Sequence, residues 1–157
     1  LSILFIERAA HPGDPWSGNL AFPGGRIDSC DEGPRQAAER ETLEEIALDL
    51  GSAEFLGQLD DIIGAYLPVQ VSCFVYYMPA TGPLAPNHEI SDIFGYPLTE
   101  LVNPHRQLST SIEWHGEPRQ VEAIDLFGPE RPLLWGITYR LVQQLFQHIS
   151  PNPPETI

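Results

Sequence analysis

The sequence predicts an α+β fold built as one domain, and three observations support that class. Short apolar segments typical of strands occur before and after one strongly helical segment, and a second helical pattern closes the chain. No stretch repeats at a fixed period. With 157 residues and a hydrophobic fraction of 42%, the chain can bury a core and is too apolar to be disordered. We therefore expect residues 1–157 to form a single domain.

The chain opens with a strand and a long loop. Residues 1–8 are mainly apolar and predict a strand, whereas residues 9–19 are rich in proline and glycine and predict a loop. A short apolar piece, residues 20–22, then enters a turn at Pro23. Because the sequence begins inside the first apolar run, we expect a further strand upstream of residue 1.

The helix expected next spans residues 34–49. Pro34 suits the first turn of a helix, and Gly51 suits its far end. The remaining pattern predicts strands at 53–60, 69–78 and near 93–96, a short helix at 98–102, a hairpin of strands 107–114 and 119–126, and a closing helix at 133–149. The proline-rich residues 151–157 are expected to form a flexible tail.

The charge balance excludes several classes of partner. Acidic side chains outnumber basic ones 22 to 8, the formal net charge is −14, and every basic side chain is an arginine. Such a chain repels polyanions, so we expect no binding to nucleic acid or to anionic membrane. No apolar run approaches the ~20 residues of a membrane-spanning helix. Without a charged-then-apolar leader at the start of this sequence, a cytoplasmic location is expected.

Three glutamates and two glycines indicate a metal site. Glu41, Glu44 and Glu45 share one face of the predicted helix, where their charges repel one another unless a cation lies among them. Gly24 and Gly25 precede the helix and allow a close approach of the backbone to metal or phosphate. Carboxylate oxygens suit Mg²⁺ or Mn²⁺. The alternative is an ordinary solvated helix face on which Arg40 pairs with Glu44.

These residues resemble the Nudix box, the signature of the Nudix hydrolases. Gly25 opens the box, and Arg40, Glu41, Glu44 and Glu45 fill its charged positions. The stretch from Gly25 to Arg40 is one residue longer than usual, so either Asp31 or Glu32 occupies the upstream acidic position. Thr42 stands where an aliphatic residue is usual, and Ala47 replaces the second glycine.

The lead-in to the box resembles the coenzyme A pyrophosphatase branch of that superfamily. Arg8, Gly18 and the run Phe22-Pro23-Gly24-Gly25 match its outline. Asp14 aligns with a position where that branch has a second arginine. The resemblance implies a Nudix-like α/β/α sandwich with a mixed β-sheet, a catalytic helix after a glycine loop, and a C-terminal helix.

The resemblance also implies roles for individual residues. Glu41, Glu44, Glu45 and the carbonyl of Gly24 would bind metal, with Glu89 as a further acidic ligand from outside the helix. Arg40 would orient the glutamates. Arg8, Gly25 and Arg26 would contact the substrate. The two arginines are expected there because guanidinium binds phosphate in a bidentate manner.

The function expected from these residues is metal-dependent hydrolysis of a phosphoanhydride. The substrate would be a nucleoside diphosphate linked to another moiety, with coenzyme A or a derivative favoured. Metal would neutralise the diphosphate and lower the pKa of an attacking water, while one glutamate could act as general base. The alternative is a Nudix-fold module that binds a nucleotide without cleaving it. The resemblance also allows a homodimer.

Overall fold

A computed structural model describes residues 1–64 and 68–149. The helices and the longer strands follow the predicted order along the chain, and two short 3₁₀ turns occur at Leu50–Ser52 and Pro104–Arg106. In chain order the helices and strands are β1 Ser2–Arg8, β2 Leu20–Ala21, α1 Pro34–Ile46, β3 Glu54–Gln58, β4 Ile62–Ile63, β5 Gln70–Val71, β6 Phe74–Tyr77, β7 Ile90–Pro97, α2 Leu98–Leu101, β8 Gln107–Trp114, β9 Glu117–Ile124, β10 Leu134–Trp135 and α3 Gly136–Ile149. The α+β class is confirmed.

The strands form antiparallel sheets. One sheet has the order β2-β1-β7 and another has the order β10-β9-β8, while β3 pairs with β6 and β4 pairs with β5. Every pairing recorded among the described residues is antiparallel. The parallel pairing that a mixed sheet implies is not among them.

Strand β1 carries the centre of the core. Phe5 and Ile6 are fully buried on opposite faces of the strand, because neighbouring side chains point to opposite sides of a sheet. Phe5 packs in a cluster that includes Val142 of α3, whereas Ile6 packs in a cluster that includes Ile46 of α1. The sheet is therefore covered on both faces by helices.

The register of β1 against β7 changes between Glu7 and Arg8. Such an irregularity re-aims the side chain that follows it. It occurs at Arg8, the last residue of β1, just before the loop of residues 9–19.

Helix α1 ends earlier than the sequence predicts. It begins at Pro34, as expected, but ends at Ile46, because Ala47 adopts the left-handed conformation with φ 57° and ψ 30°. The Ala47 N–H donates to the carbonyl of Leu43 at 3.0 Å and closes the helix. The chain can then turn and place Leu48 in the core beside Ile6.

Two other predicted elements are divided. The expected strand 69–78 consists of β5 and β6, which pair with different partners. The expected helix 133–149 begins only at Gly136, because Leu134 and Trp135 pair with β9. No helix among residues 1–64 and 68–149 has the length and apolar character needed to cross a membrane. The predicted tail at 151–157 lies outside the described residues.

Candidate active site

Arg40 connects Asp31, which precedes α1, with two glutamates in the second half of that helix. Its Nε and Nη2 donate to the two carboxylate oxygens of Asp31 at 3.0 and 2.9 Å. Its Nη1 donates to Glu41 at 2.9 Å and to Glu44 at 3.2 Å. A further hydrogen bond joins Nη2 to the carbonyl of Arg26 at 3.1 Å. One guanidinium therefore joins three carboxylates to the segment that follows Gly24 and Gly25, the glycine turn.

These contacts distinguish the two candidates for the upstream acidic position. The Arg40 guanidinium holds the pKa of the Asp31 carboxyl below its ordinary value, with help from the Asp28 backbone, and Asp31 in turn raises the pKa of Arg40. Glu32 is exposed, and its backbone N–H donates to the side chain of Gln36. Asp31, and not Glu32, is the partner of Arg40.

Glu45 is the buried carboxylate of the site. Its side chain is on the inner face of α1, only 2% of the residue is exposed, and its Oε2 accepts the Gly24 N–H at 2.9 Å. Burial raises the pKa of Glu45 to about 7, and the negative charges of Glu41 and Glu89 act in the same direction. The Gly24 N–H and the charge of Arg8 oppose this rise. A cation beside Glu45 would relieve the cost of its burial.

Glu89 lies in the turn before β7 and near enough to Glu45 for its charge to influence the Glu45 pKa. Asn87 holds this turn against α1. Its backbone N–H donates to the Glu45 carbonyl at 2.8 Å, and its side-chain oxygen accepts the Glu89 N–H at 2.9 Å. The sequence analysis assigned no role to Asn87, because that role depends on a contact between segments more than forty residues apart.

The glycine turn fits closely against the helix. A Cβ added to Gly25 would lie 2.4 Å from Cδ of Glu41, which is far inside van der Waals contact. Glycine at this position therefore leaves the space that the Glu41 carboxylate occupies. Gly24 and Gly25 also border a large open cleft of about 1460 Å³.

The three predicted substrate contacts, Arg8, Gly25 and Arg26, all line the cleft. The lining also includes Trp16 and Gly24. Thr42 also borders the cleft, whereas Glu41, Glu44 and Glu45 lie on the adjoining stripe of α1 and do not line it. The glycine turn is thus shared between the cleft and the glutamates.

The donor set suits a hard cation in chemistry and in charge. Carboxylate oxygens are the ligands that Mg²⁺ and Mn²⁺ prefer. In this structure Arg40 engages Glu41 and Glu44, and among residues 1–64 and 68–149 no three histidine, cysteine, aspartate or glutamate side chains converge as a metal cluster. The buried carboxylate of Glu45 is the strongest indication of a cation site, because a nearby positive charge would offset the cost of burying its negative charge.

Comparisons with known proteins agree with this geometry. A family model described as the NUDIX domain matches residues 2–115, which include the glycine turn, α1 and Glu89. The chain belongs to the Nudix family. The box that identified it in the sequence is the segment that forms the Arg40 network.

Two curated relatives illustrate the family match. The chain is 28% identical over 157 residues to the human mitochondrial coenzyme A diphosphatase NUDT8, covering 96% of this chain and 64% of that protein. It is 31% identical over 154 residues to the uncharacterized Nudix hydrolase NudL of Escherichia fergusonii, covering 96% of this chain and 77% of that protein. The chain spans 57% and 64% of the length of the first two curated relatives that it matches.

A solved structure confirms the fold. The NUDIX domain of Shewanella oneidensis NrtR, crystallised with ADP ribose, superposes with a TM-score of 0.55 at 19% sequence identity. The alignment covers 95% of this chain and 78% of that one. At this identity the likeness establishes the Nudix fold, and the ligand belongs to that protein.

Proposed function

We propose that this chain hydrolyses a phosphoanhydride bond in a nucleoside diphosphate linked to another moiety, in a reaction that requires Mg²⁺ or Mn²⁺. Coenzyme A or a derivative is the first substrate to test, because the lead-in motif resembles that branch and a curated relative is named as a coenzyme A diphosphatase. The observation that carries the proposal is the buried Glu45 carboxylate, held by the Gly24 N–H next to the carboxylates that Arg40 assembles.

Each box residue has a task under this proposal. Glu41, Glu44, Glu45 and the carbonyl of Gly24 would hold the metal, with Glu89 as an additional oxygen donor. When bound, Mg²⁺ or Mn²⁺ would neutralise the diphosphate and lower the pKa of the attacking water. Arg40 would keep the carboxylates oriented, and Asp31 would fix Arg40 through its bidentate contact.

The cleft residues would bind the substrate. The Arg26 side chain is exposed at the cleft and makes no ion pair with any described residue, so it is free to bind a phosphate oxygen. Gly25 would let the diphosphate approach the backbone, since no side chain stands in the way. Arg8, the last residue of β1, would offer a second guanidinium to the substrate. The size of the cleft suits an extended ligand.

A substrate panel tests this function. The purified protein is incubated with Mg²⁺ or Mn²⁺ and with coenzyme A, acyl derivatives of coenzyme A and other linked nucleoside diphosphates, and the products are separated by chromatography. We expect Glu44→Gln to lower turnover by about tenfold or more. Glu32→Gln is the matched control and should retain the wild-type rate, because the Glu32 side chain lies outside the Arg40 network. No cleavage across the panel would refute the proposal.

A second candidate is a binding module that holds a nucleotide without cleaving it. It is favoured by one observation, the engagement of Glu41 and Glu44 by Arg40. For hydrolysis, these carboxylates must exchange part of that contact for metal. Calorimetric binding of a panel compound without any turnover would support the module. A single domain, a homodimer and a cytoplasmic location stay predictions.

A further inference from the structure

The backbone of Arg8, the last residue of β1, is hydrogen-bonded to the end of the loop that follows it. Its backbone N–H donates to the Asn19 carbonyl at 3.0 Å, and its carbonyl accepts the Gly18 N–H at 3.1 Å. These two hydrogen bonds close the loop of residues 9–18 onto the end of β1. The side chain is largely buried, with 24% exposed, and still lines the cleft.

The charge of Arg8 is already paired within the protein. Its Nη2 donates to Oδ2 of Asp14 at 3.1 Å, and the other carboxylate oxygen of Asp14 accepts the Trp16 N–H at 3.0 Å. The Asp14 side chain is 20% exposed and does not line the cleft. Although burial raises the pKa of Asp14, the Trp16 N–H and Arg8 together keep it below the ordinary value, so Asp14 is ionised at neutral pH.

The cleft therefore contains less available positive charge than its arginines suggest. Three arginines line the cleft. Arg26 and Arg140 make no ion pair with any described residue, whereas Arg8 is paired with Asp14. The Nε of Arg8 is buried and has no hydrogen-bond partner among the described residues, so the protein does not satisfy every donor of this guanidinium. Arg8 lines the cleft and can contact a ligand there, but its charge is already paired with that of Asp14.

We propose that Asp14 limits how many phosphate groups the ligand of this cleft carries. By neutralising Arg8, Asp14 favours binding of a linked diphosphate that has no additional phosphate monoester over binding of the same compound with one. This inference rests on the proposed function and narrows its substrate class. Asp14 does not contact the ligand in this proposal. It acts as a positioning residue, because it changes ligand specificity through its ion pair with Arg8.

Paired ligands that differ by one phosphate monoester test the inference. Coenzyme A and dephospho-coenzyme A form such a pair. Their dissociation constants are measured by isothermal titration calorimetry in EDTA, where no metal supports turnover. Asp14→Asn removes the charge but keeps an oxygen that can accept the Trp16 N–H. Glu130→Gln is the control, since it makes the same change in net charge at an exposed residue outside the cleft lining.

The wild type is expected to bind dephospho-coenzyme A more tightly than coenzyme A. Asp14→Asn is expected to shift the ratio of the two dissociation constants toward coenzyme A by about five- to tenfold, the effect of one partly exposed charge-assisted contact. Glu130→Gln should leave the ratio unchanged. A double variant with Arg8→Gln should show no effect of Asp14→Asn, because the charge that Asp14 neutralises is then absent.

An equal ratio in wild type and Asp14→Asn would overturn the inference, as would a wild type that prefers coenzyme A or binds neither ligand. Thermal unfolding of each variant shows whether it is folded; if Asp14→Asn is not, Asp14→Ser takes its place. The proposed function is judged separately, by cleavage of dephospho-coenzyme A with Mg²⁺. Cleavage with an unchanged binding ratio would refute this inference alone.

Discussion

Replacing Glu45 by glutamine should make the metal-free protein more stable at pH 8. Burial raises the pKa of Glu45 to about 7 from an ordinary value of 4.5. A group whose folded pKa is raised contributes stability below its unfolded pKa and loses it as pH rises through the folded pKa. Wild-type stability in EDTA should therefore decrease between about pH 4.5 and pH 7. Glutamine carries no charge, and its oxygen can still accept the Gly24 N–H.

The size of the effect follows from the pKa. A rise from 4.5 to about 7 corresponds to at most about 3 kcal/mol of unfolding free energy. The neighbouring cleft is open to water and Arg8 offsets part of the charge, so we expect about 1–2 kcal/mol. For a chain of this size, that is a rise in Tm of about 3–7 °C at pH 8 in EDTA.

Thermal unfolding followed by circular dichroism at pH 5 and pH 8, with EDTA or Mg²⁺, measures the effect. At pH 5 the difference between Glu45→Gln and wild type should be clearly smaller than at pH 8, because the Glu45 carboxyl of the folded protein is then largely protonated. Mg²⁺ at pH 8 should stabilise the wild type more than the variant, because a ligand that binds only the native state raises its stability. A variant less stable than wild type at pH 8 in EDTA would refute the reasoning, as would a difference that does not depend on pH.

Three further substitutions test separate parts of the structure. Arg40→Lys cannot make the bidentate contact, so turnover should decrease about 10–100-fold with an unchanged circular dichroism spectrum; a wild-type rate would contradict the orienting role. Gly25→Ala places a methyl group 2.4 Å from Cδ of Glu41 and should lower turnover while Tm changes by less than about 2 °C; unchanged kinetics would contradict it. Ala47→Gly should raise the unfolding free energy by about 0.5–1 kcal/mol in urea denaturation, because glycine tolerates the left-handed conformation; a lower midpoint would contradict this.

Local patterns accounted for much of the fold. The strand at 1–8, the beginning of α1 at Pro34 and the strand 107–114 agree with the structure to within a residue. Each depends on periodicity or on a residue with a strong positional preference, and the sequence displays both directly. The family expected from the box is confirmed by the family model.

Helical spacing also anticipated part of the site. Arg40 and Glu44 are one turn apart, and their predicted ion pair is present at 3.2 Å. The sequence analysis offered that pair as the alternative to a metal site. The structure contains the pair, while the metal site stays a proposal.

Contacts between loops could not be predicted from the sequence. Counting residues could not decide between Asp31 and Glu32, because the extra residue is accommodated in a loop whose path the pattern does not fix. Asp14 was noted only as a departure from the related branch. Its contact with Arg8 depends on the turn that returns residues 9–18 to the end of β1. The turn at Asn87 likewise depends on a backbone hydrogen bond to α1.

The most direct test of the central claim is mass spectrometry of the products formed in ¹⁸O-labelled water. With Mg²⁺ and a linked nucleoside diphosphate, the account predicts two phosphate-bearing products, one of which carries a single ¹⁸O atom. Product formation should require metal, decrease by about tenfold or more in Glu44→Gln, and persist in Glu32→Gln. Intact substrate throughout the panel would contradict the account, as would equal rates in Glu44→Gln and wild type.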